Sequence, residues 1–162
     1  MLEVVAEHLG EQLRDDLVFV GGAVAGLLIT DPAMPAIRPT EDVDLIFQAL
    51  ARADFHRLER TLETRGFSHD TSPQAPICRW RVGSIAVDVM PTLDDILGFS
   101  NRWYPLALQV ADAVSLPSGR SIRLLSTPSF LAALPGHLPG DAASQERAPE
   151  LEDKLRQIAN LN

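Results

Sequence analysis

Two aspartates, Asp42 and Asp44, are the residues of this sequence best suited to chemistry. They open the run Asp42–Phe47, which is predicted to be a β-strand, so their side chains point to the same face. Neighbouring carboxylates repel one another unless a cation lies between them. Hard cations prefer oxygen ligands, so the pair is a candidate site for Mg²⁺, with Mn²⁺ as a second candidate. A strand end or a solvated face is the alternative that needs no metal.

A glycine pair, Gly21 and Gly22, follows the predicted buried strand Leu17–Val20 and opens a predicted helix. Such a turn allows backbone N–H groups to approach an anion closely, although a plain turn is the alternative. Two further residues, Arg38 and Thr40, are candidate nucleotide contacts between the glycine pair and the aspartates. Their alternatives are a solvated arginine and a β-branched residue that opens the strand. A phosphate cradle beside paired carboxylates indicates nucleotide chemistry on a divalent ion.

The glycine turn, the Asp-x-Asp strand and the later strand Ser84–Pro91 together resemble the DNA polymerase β-type nucleotidyltransferase superfamily. The resemblance implies a third carboxylate, which this chain offers as Asp88. Strand alternation places Val87 and Val89 toward the core and Asp88 on the opposite side. The resemblance also implies that Asp42, Asp44 and Asp88 are catalytic metal ligands, with Asp88 on the ion that activates the acceptor.

A narrower resemblance is to the bacterial abortive-infection nucleotidyltransferases, which are AbiEii-like toxins of type IV toxin–antitoxin systems. It extends from about residue 15 to about residue 131, and the segments that carry it are Phe19–Leu27, Arg38–Asp44, Ile77–Trp80, Val87–Pro91 and Gly98–Tyr104. This resemblance implies transfer of a nucleoside monophosphate from a nucleoside triphosphate to an RNA acceptor, tRNA in some relatives. It also implies a cognate antitoxin protein as a candidate partner.

The sequence departs from that branch near its C-terminus. The branch has a lysine, suited to a triphosphate, where this chain has Leu134, and the only lysine here is Lys154. The departure favours one alternative function, a catalytically weak or inactive relative that binds a nucleotide or a partner protein. A second alternative is a transferase acting on a small-molecule hydroxyl such as that of an antibiotic, although the chain lacks a large acceptor domain.

Composition limits the classes of function that remain. The net charge of −8 argues against a broad nucleic-acid-binding surface, although the thirteen arginines allow a local patch. The single cysteine, Cys78, excludes an internal disulfide and fits a reducing compartment. The N-terminus carries acids where a secretory signal needs bases, and no apolar run has the length of a membrane span. We therefore expect a cytoplasmic protein that does not associate with membranes.

Hydrophobic periodicity and turn residues predict an α/β domain. The resemblance to nucleotidyltransferases implies a minimal nucleotidyltransferase fold, and we expect a short mixed β-sheet flanked by helices that lie mainly on one side, with the carboxylates on the open face. We expect this domain over residues 1–134, a flexible linker over 135–149 and a C-terminal helix over 150–162. The predicted elements of the domain are helices over 2–14, 22–28, 52–65 and 102–111 and strands over 17–20, 42–47, 77–82, 85–90, 113–116 and 121–125.

Overall fold

The computed structural model describes residues 1–28, 40–101 and 103–125. The helices of this part of the chain are α1 (Leu2–Asp16), α2 (Gly22–Leu28), α3 (Arg52–Thr64), α4 (Asp94–Leu97) and α5 (Tyr104–Gln109). Its strands are β1 (Leu17–Val20), β2 (Asp42–Phe47), β3 (Ser68–His69), β4 (Arg79–Val82), β5 (Ile85–Pro91), β6 (Asp112–Ser115) and β7 (Ser121–Leu124). The predicted α/β class, a mixed sheet flanked by helices, is confirmed.

The seven strands form one mixed sheet in the order β3-β4-β5-β2-β1-β7-β6. Strand β2 lies near its centre, antiparallel to β1 and parallel to β5. The hairpin of β4 and β5 turns at Gly83, whose φ of 57° lies in the left-handed region that favours glycine. This arrangement brings β2 and β5, the two strands that carry the aspartates, side by side.

Alternating side chains give the sheet two different faces. On β1 and β2, Phe19 and Leu45 point to a core that also contains apolar side chains of α1, α2 and α3. On the opposite face, Val18 and Ile46 pack against Leu108 of α5 in a second, smaller cluster. The aspartates share this second face, so α5 packs on the side that we expected to be open.

Helix α1 covers the larger core with an apolar stripe whose buried members are Val5, Ala6, Leu9 and Leu13. The predicted helix is present, but Gly10 interrupts its helical geometry with φ 69° and ψ 175°. A Cβ atom at Gly10 would overlap the guanidinium group of Arg65. The break was not visible in the sequence pattern, because the apolar periodicity continues through it.

The remaining differences from the predicted elements have local causes. Strand β4 begins at Arg79, two residues later than expected, because the Arg79 N–H donates to the Pro76 carbonyl in a turn. Helix α5 begins at Tyr104, after the Trp103 N–H donates to the side chain of Asn101. The short elements β3 and α4 were not predicted. The expected linker and C-terminal helix lie outside the described residues.

Trp80 and Cys78 belong to the core. The Trp80 side chain is fully buried, so it has no exposed face on which a base could stack. Cys78 is buried, and this burial followed by the negative charge of Asp88 raises the pKa of its thiol to about 11. Among the described residues, no helix is both long enough and apolar enough to cross a membrane.

Candidate active site

The three aspartates lie on two neighbouring parallel strands. Asp42 and Asp44 occupy alternate positions of β2, and Asp88 lies on β5 directly opposite Asp44. The flanking residues of Asp88, Val87 and Val89, are fully buried in the larger core, so Asp88 points to the other face. The fold therefore brings Asp88 next to Asp42 and Asp44, although these residues are more than forty positions away in the sequence.

Arg79 joins two of the aspartates through one guanidinium group. Its Nε donates to Oδ1 of Asp88 at 2.7 Å, and its Nη2 donates to Oδ2 of the same carboxylate at 2.7 Å. The Nη2 atom also donates to Oδ2 of Asp42 at 2.8 Å. Because bidentate, charge-assisted hydrogen bonds are strong, Arg79 fixes the orientation of Asp88 and ties β4 and β5 to β2.

Asp44 lies in a different environment from its two neighbours. Among the described residues, no side chain donates a hydrogen bond to its carboxyl group. Burial, followed by the negative charges of Asp42 and Asp88, raises the pKa of Asp44 to about 7, while the positive charge of Arg79 acts in the opposite direction. A carboxyl group with this pKa is poised to lose its proton when a cation comes near.

The glycine pair borders the aspartates. A Cβ atom at Gly21 would overlap Oδ2 of Asp44, and the φ of 72° at Gly21 is one that other residues rarely adopt. A Cβ atom at Gly22 would overlap the methyl group of Thr40. Gly21 is therefore required for the turn to approach Asp44 closely, and Gly22 is required for the turn to approach the start of β2.

Thr40 and Arg38 are the other two candidate nucleotide contacts, and the structure describes only Thr40. The Thr40 hydroxyl donates to the backbone carbonyl of Asp42 at 3.3 Å, so it helps to shape the start of β2. A contact between Thr40 and phosphate stays a prediction. Arg38 lies outside the described residues.

Helix α5 brings a tyrosine to the edge of the site. The Tyr104 hydroxyl donates to Sδ of Met90 at 3.2 Å, and Met90 follows Asp88 by two positions on the same face of β5. Burial, followed by the negative charge of Asp44, raises the pKa of Tyr104 to about 12. Helix α5, which begins at Tyr104, therefore lies beside the aspartates on their face of the sheet.

Sequence reasoning missed the role of Arg79, although a signal was present. The predicted hairpin turns at Gly83-Ser84, which pairs Val82 with Ile85. Counting outward from that pair places Arg79 directly opposite Asp88, as the structure shows. Because directly opposite residues of an antiparallel pair lie within side-chain reach, the register alone predicts an ion pair.

The donor set fits a divalent cation only in part. Asp42 and Asp44 supply hard oxygen ligands on one face. The pKa of Asp44 is raised by burial and by the two neighbouring aspartates, so a cation beside its carboxylate would be favourable. Asp88, by contrast, has both oxygens hydrogen-bonded to Arg79. Within the described ranges, no group of three or more His, Cys, Asp or Glu side chains is arranged to hold a metal ion.

No protein-family model and no curated protein matches the sequence. Among solved structures, the chain is similar to a crystal structure of ANT(2")-Ia in complex with adenylyl-2"-tobramycin. The similarity covers 99% of this chain and 97% of that chain, with 16% sequence identity and a TM-score of 0.45. Values this low carry no argument about the activity of this chain.

Proposed function

We propose that this protein is a metal-dependent nucleotidyltransferase. The observation that carries the proposal is the position of Asp44, which lies between Asp42 on its own strand, Asp88 on the next strand and the close turn at Gly21. Side-by-side carboxylates next to a backbone turn without side chains can hold a cation and accept a phosphate close to it. The sequence resemblance described above supports the same reaction.

In the proposed reaction, an acceptor hydroxyl oxygen attacks the α-phosphorus of a nucleoside triphosphate. The new oxygen–phosphorus bond forms as the bond to the bridging oxygen breaks; pyrophosphate leaves, and the hydroxyl proton passes to water. Asp42 and Asp44 would hold the divalent cation, Mg²⁺ or Mn²⁺, which when bound supplies charge stabilisation at the reacting oxygens. The backbone N–H groups of Gly21 and Gly22 would bind the β- and γ-phosphates.

The acceptor that we propose is RNA, with tRNA as one candidate, and the partner a cognate antitoxin protein. These two proposals rest on the sequence resemblance. A small-molecule hydroxyl, such as that of an antibiotic, is the competing acceptor. The assay below separates the two acceptors because each receives the label in a different fraction.

A second candidate function is a catalytically weak or inactive relative that binds a nucleotide or a partner protein. The contact that favours it is Arg79, whose positive charge stabilises Asp42 and Asp88 without any metal. In such a protein the carboxylates would be structural. Nucleotide binding without transfer of label is the result that this candidate predicts.

The proposal is tested by incubating the purified protein with each α-³²P-labelled nucleoside triphosphate and Mg²⁺. Total cellular RNA is the acceptor in one arm and a panel of hydroxyl-bearing antibiotics in another. We expect label in one acceptor fraction and a loss of roughly 10²-fold or more with Asp42→Asn or Asp44→Asn.

The matched control is Asp112→Asn, because Asp112 is an exposed aspartate on the outermost strand β6. This variant should transfer label at the wild-type rate. Absence of label from every acceptor, with nucleotide binding retained, would favour the inactive relative. Equal rates for Asp44→Asn and Asp112→Asn would show that the reaction uses other residues.

A further inference from the structure

The position between Asp42 and Asp88 is already filled by a nitrogen atom. Nη2 of Arg79 lies 2.8 Å from Oδ2 of Asp42 and 2.7 Å from Oδ2 of Asp88. A Mg²⁺ ion that bridged these two oxygens would lie about 2.0–2.1 Å from each of them. An ion on the guanidinium side of these two oxygens would therefore overlap the nitrogen, so the guanidinium group and a bridging ion exclude one another there.

The guanidinium group is also held firmly in that position. Its Nε donates a second hydrogen bond to Asp88, which makes the contact a bidentate fork. Arginine keeps its positive charge at any physiological pH, so a change of pH does not release it. The Arg79 side chain is about one quarter exposed, at 24%, and the Asp88 side chain only 11%, so water competes weakly for the pair.

The distribution of charge leaves one place for a metal ion. Arg79 neutralises Asp88 and one oxygen of Asp42. Oδ1 of Asp42 and the carboxyl group of Asp44 receive no hydrogen bond from any residue that the structure describes. These are the oxygens that remain for a divalent cation, and Oδ2 of Asp44 lies beside the Gly21 turn.

We propose that Arg79 takes the place of one of the two divalent cations that nucleotidyl transfer commonly uses. This chain then binds a single divalent cation, at Asp42 and Asp44, and Asp88 serves to hold Arg79 rather than a metal. The inference rests on the proposed function and deepens it. The Nη1 group of Arg79 makes no hydrogen bond to any described residue, so it remains free to donate to a bound ligand.

The test counts bound Mn²⁺ by electron paramagnetic resonance of the free ion, in the full chain without nucleotide. We expect one Mn²⁺ per wild-type chain and two per chain of Arg79→Gln, because the variant frees the position between Asp42 and Asp88. Arg81→Gln is the matched control. Arg81 lies on the same strand and face but pairs with Asp70 at 3.1 Å, so this variant should bind one ion.

A second readout is thermal unfolding, which does not depend on activity. Without metal, Arg79→Gln should unfold at a lower temperature than the wild type, because three carboxyl groups then lack a cation. Mn²⁺ should raise the melting temperature of Arg79→Gln by more than that of the wild type. An equal rise for both proteins would contradict the inference.

The outcomes separate this inference from the proposed function. Two Mn²⁺ ions per wild-type chain would overturn the inference and leave the transferase intact, and this count decides the question even if Arg79→Gln does not fold. One ion in both proteins would also overturn it. Label transfer, measured separately, decides the proposed function, and wild-type protein without any bound Mn²⁺ would contradict the role of Asp42 and Asp44 in both.

Discussion

The Asp44 carboxyl group is held in surroundings that disfavour its charge. Burial and the charges of Asp42 and Asp88 raise its pKa to about 7, so above that pH a negative charge is forced into the site. A folded-state pKa above the unfolded value means that ionisation of Asp44 destabilises the native state as the pH rises. Such local instability is typical of a residue retained for binding rather than for packing.

The first prediction is that Asp44→Asn stabilises the metal-free protein at pH 8. The substitution removes one of three neighbouring charges at nearly constant shape, and a gain of about 1 kcal/mol would raise the melting temperature by roughly 3 °C. Thermal unfolding in the presence of a chelator measures the change. A large fall in the melting temperature would show instead that Asp44 is structural, whereas Asp112→Asn should leave it nearly unchanged.

The second prediction concerns Gly21, where an added Cβ meets two separate obstacles. Its φ of 72° costs a non-glycine residue roughly 1–2 kcal/mol, and the Cβ would also overlap the Asp44 carboxylate. Gly119 provides the matched control, because its φ of 82° is similar but no atom lies within 4 Å of the added Cβ. We expect Gly21→Ala to lower the free energy of unfolding by more than Gly119→Ala does.

Urea denaturation measures both variants of that prediction, and Mn²⁺ binding adds a second comparison. Gly119→Ala should bind Mn²⁺ as the wild type does. Gly21→Ala should bind it more weakly, because Asp44 must move away from the new methyl group. Equal losses of stability and equal Mn²⁺ affinities would show that the turn does not approach Asp44 closely in solution.

At the scale of elements, strand alternation was the pattern with the most predictive value. It separated the core residues of β2 and β5 from the aspartates on the other face, and the described strands follow it. The buried side chains of α3, which are Phe55, Leu58 and Leu62, also recur at the spacing of a helix. These patterns are readable because each depends on one segment and on a repeat of fixed length.

The features that were missed depend on contacts between segments. The two-residue strand β3 is too short for a period, and it exists because Ser68 and His69 pair with Arg81 and Trp80. The placement of α5 over the aspartate face is set by its packing on Val18 and Ile46. The contact between Arg79 and Asp88 follows from the hairpin turn. The contact between Arg79 and Asp42 depends in addition on the pairing of β5 with β2, which the sequence pattern does not give.

The third prediction tests how the edge of the sheet is held. Asp70 accepts hydrogen bonds from the backbone and side chain of Ser72, at 3.0 and 2.6 Å, and from Arg81 at 3.1 Å. The Ser72 bonds, with a smaller contribution from Arg81, lower the pKa of Asp70 to about 2. A lowered folded-state pKa means that the ionised carboxylate stabilises the fold, and that this contribution is lost as the pH falls.

Asp70→Asn should therefore lower the melting temperature at pH 7 by a few degrees. The difference from the wild type should shrink as the pH falls from about 4, the pKa of an unfolded aspartate, to about 2. Thermal unfolding followed by circular dichroism at several pH values measures it. A difference that stays constant over this range would mean that the ionised form of Asp70 contributes nothing to the edge.

For the whole molecule, the distribution of arginine charge limits the kind of acceptor. The net charge is −8, so a nucleic acid is repelled unless basic side chains are free to contact its phosphates. Most described arginines are already bonded to carboxylates or backbone carbonyls, and those with such bonds are Arg14, Arg52, Arg57, Arg79, Arg81, Arg120 and Arg123. An extended basic surface would have to break several of these contacts.

The last prediction is that tRNA binds this chain with a shallow dependence on salt. Each phosphate that a cationic side chain neutralises adds roughly 0.7–0.9 to the slope of log affinity against log salt concentration. Because few described arginines are free, we expect a slope of about 2 or less. Fluorescence anisotropy with labelled tRNA, titrated at several NaCl concentrations, measures the slope, and Arg60→Gln with Arg65→Gln tests two exposed arginines directly. A slope of about 4 or more would contradict the charge argument and favour an RNA acceptor that is bound along its backbone. If tRNA does not bind and the label is found on a small hydroxyl compound, the acceptor is a small molecule instead of RNA.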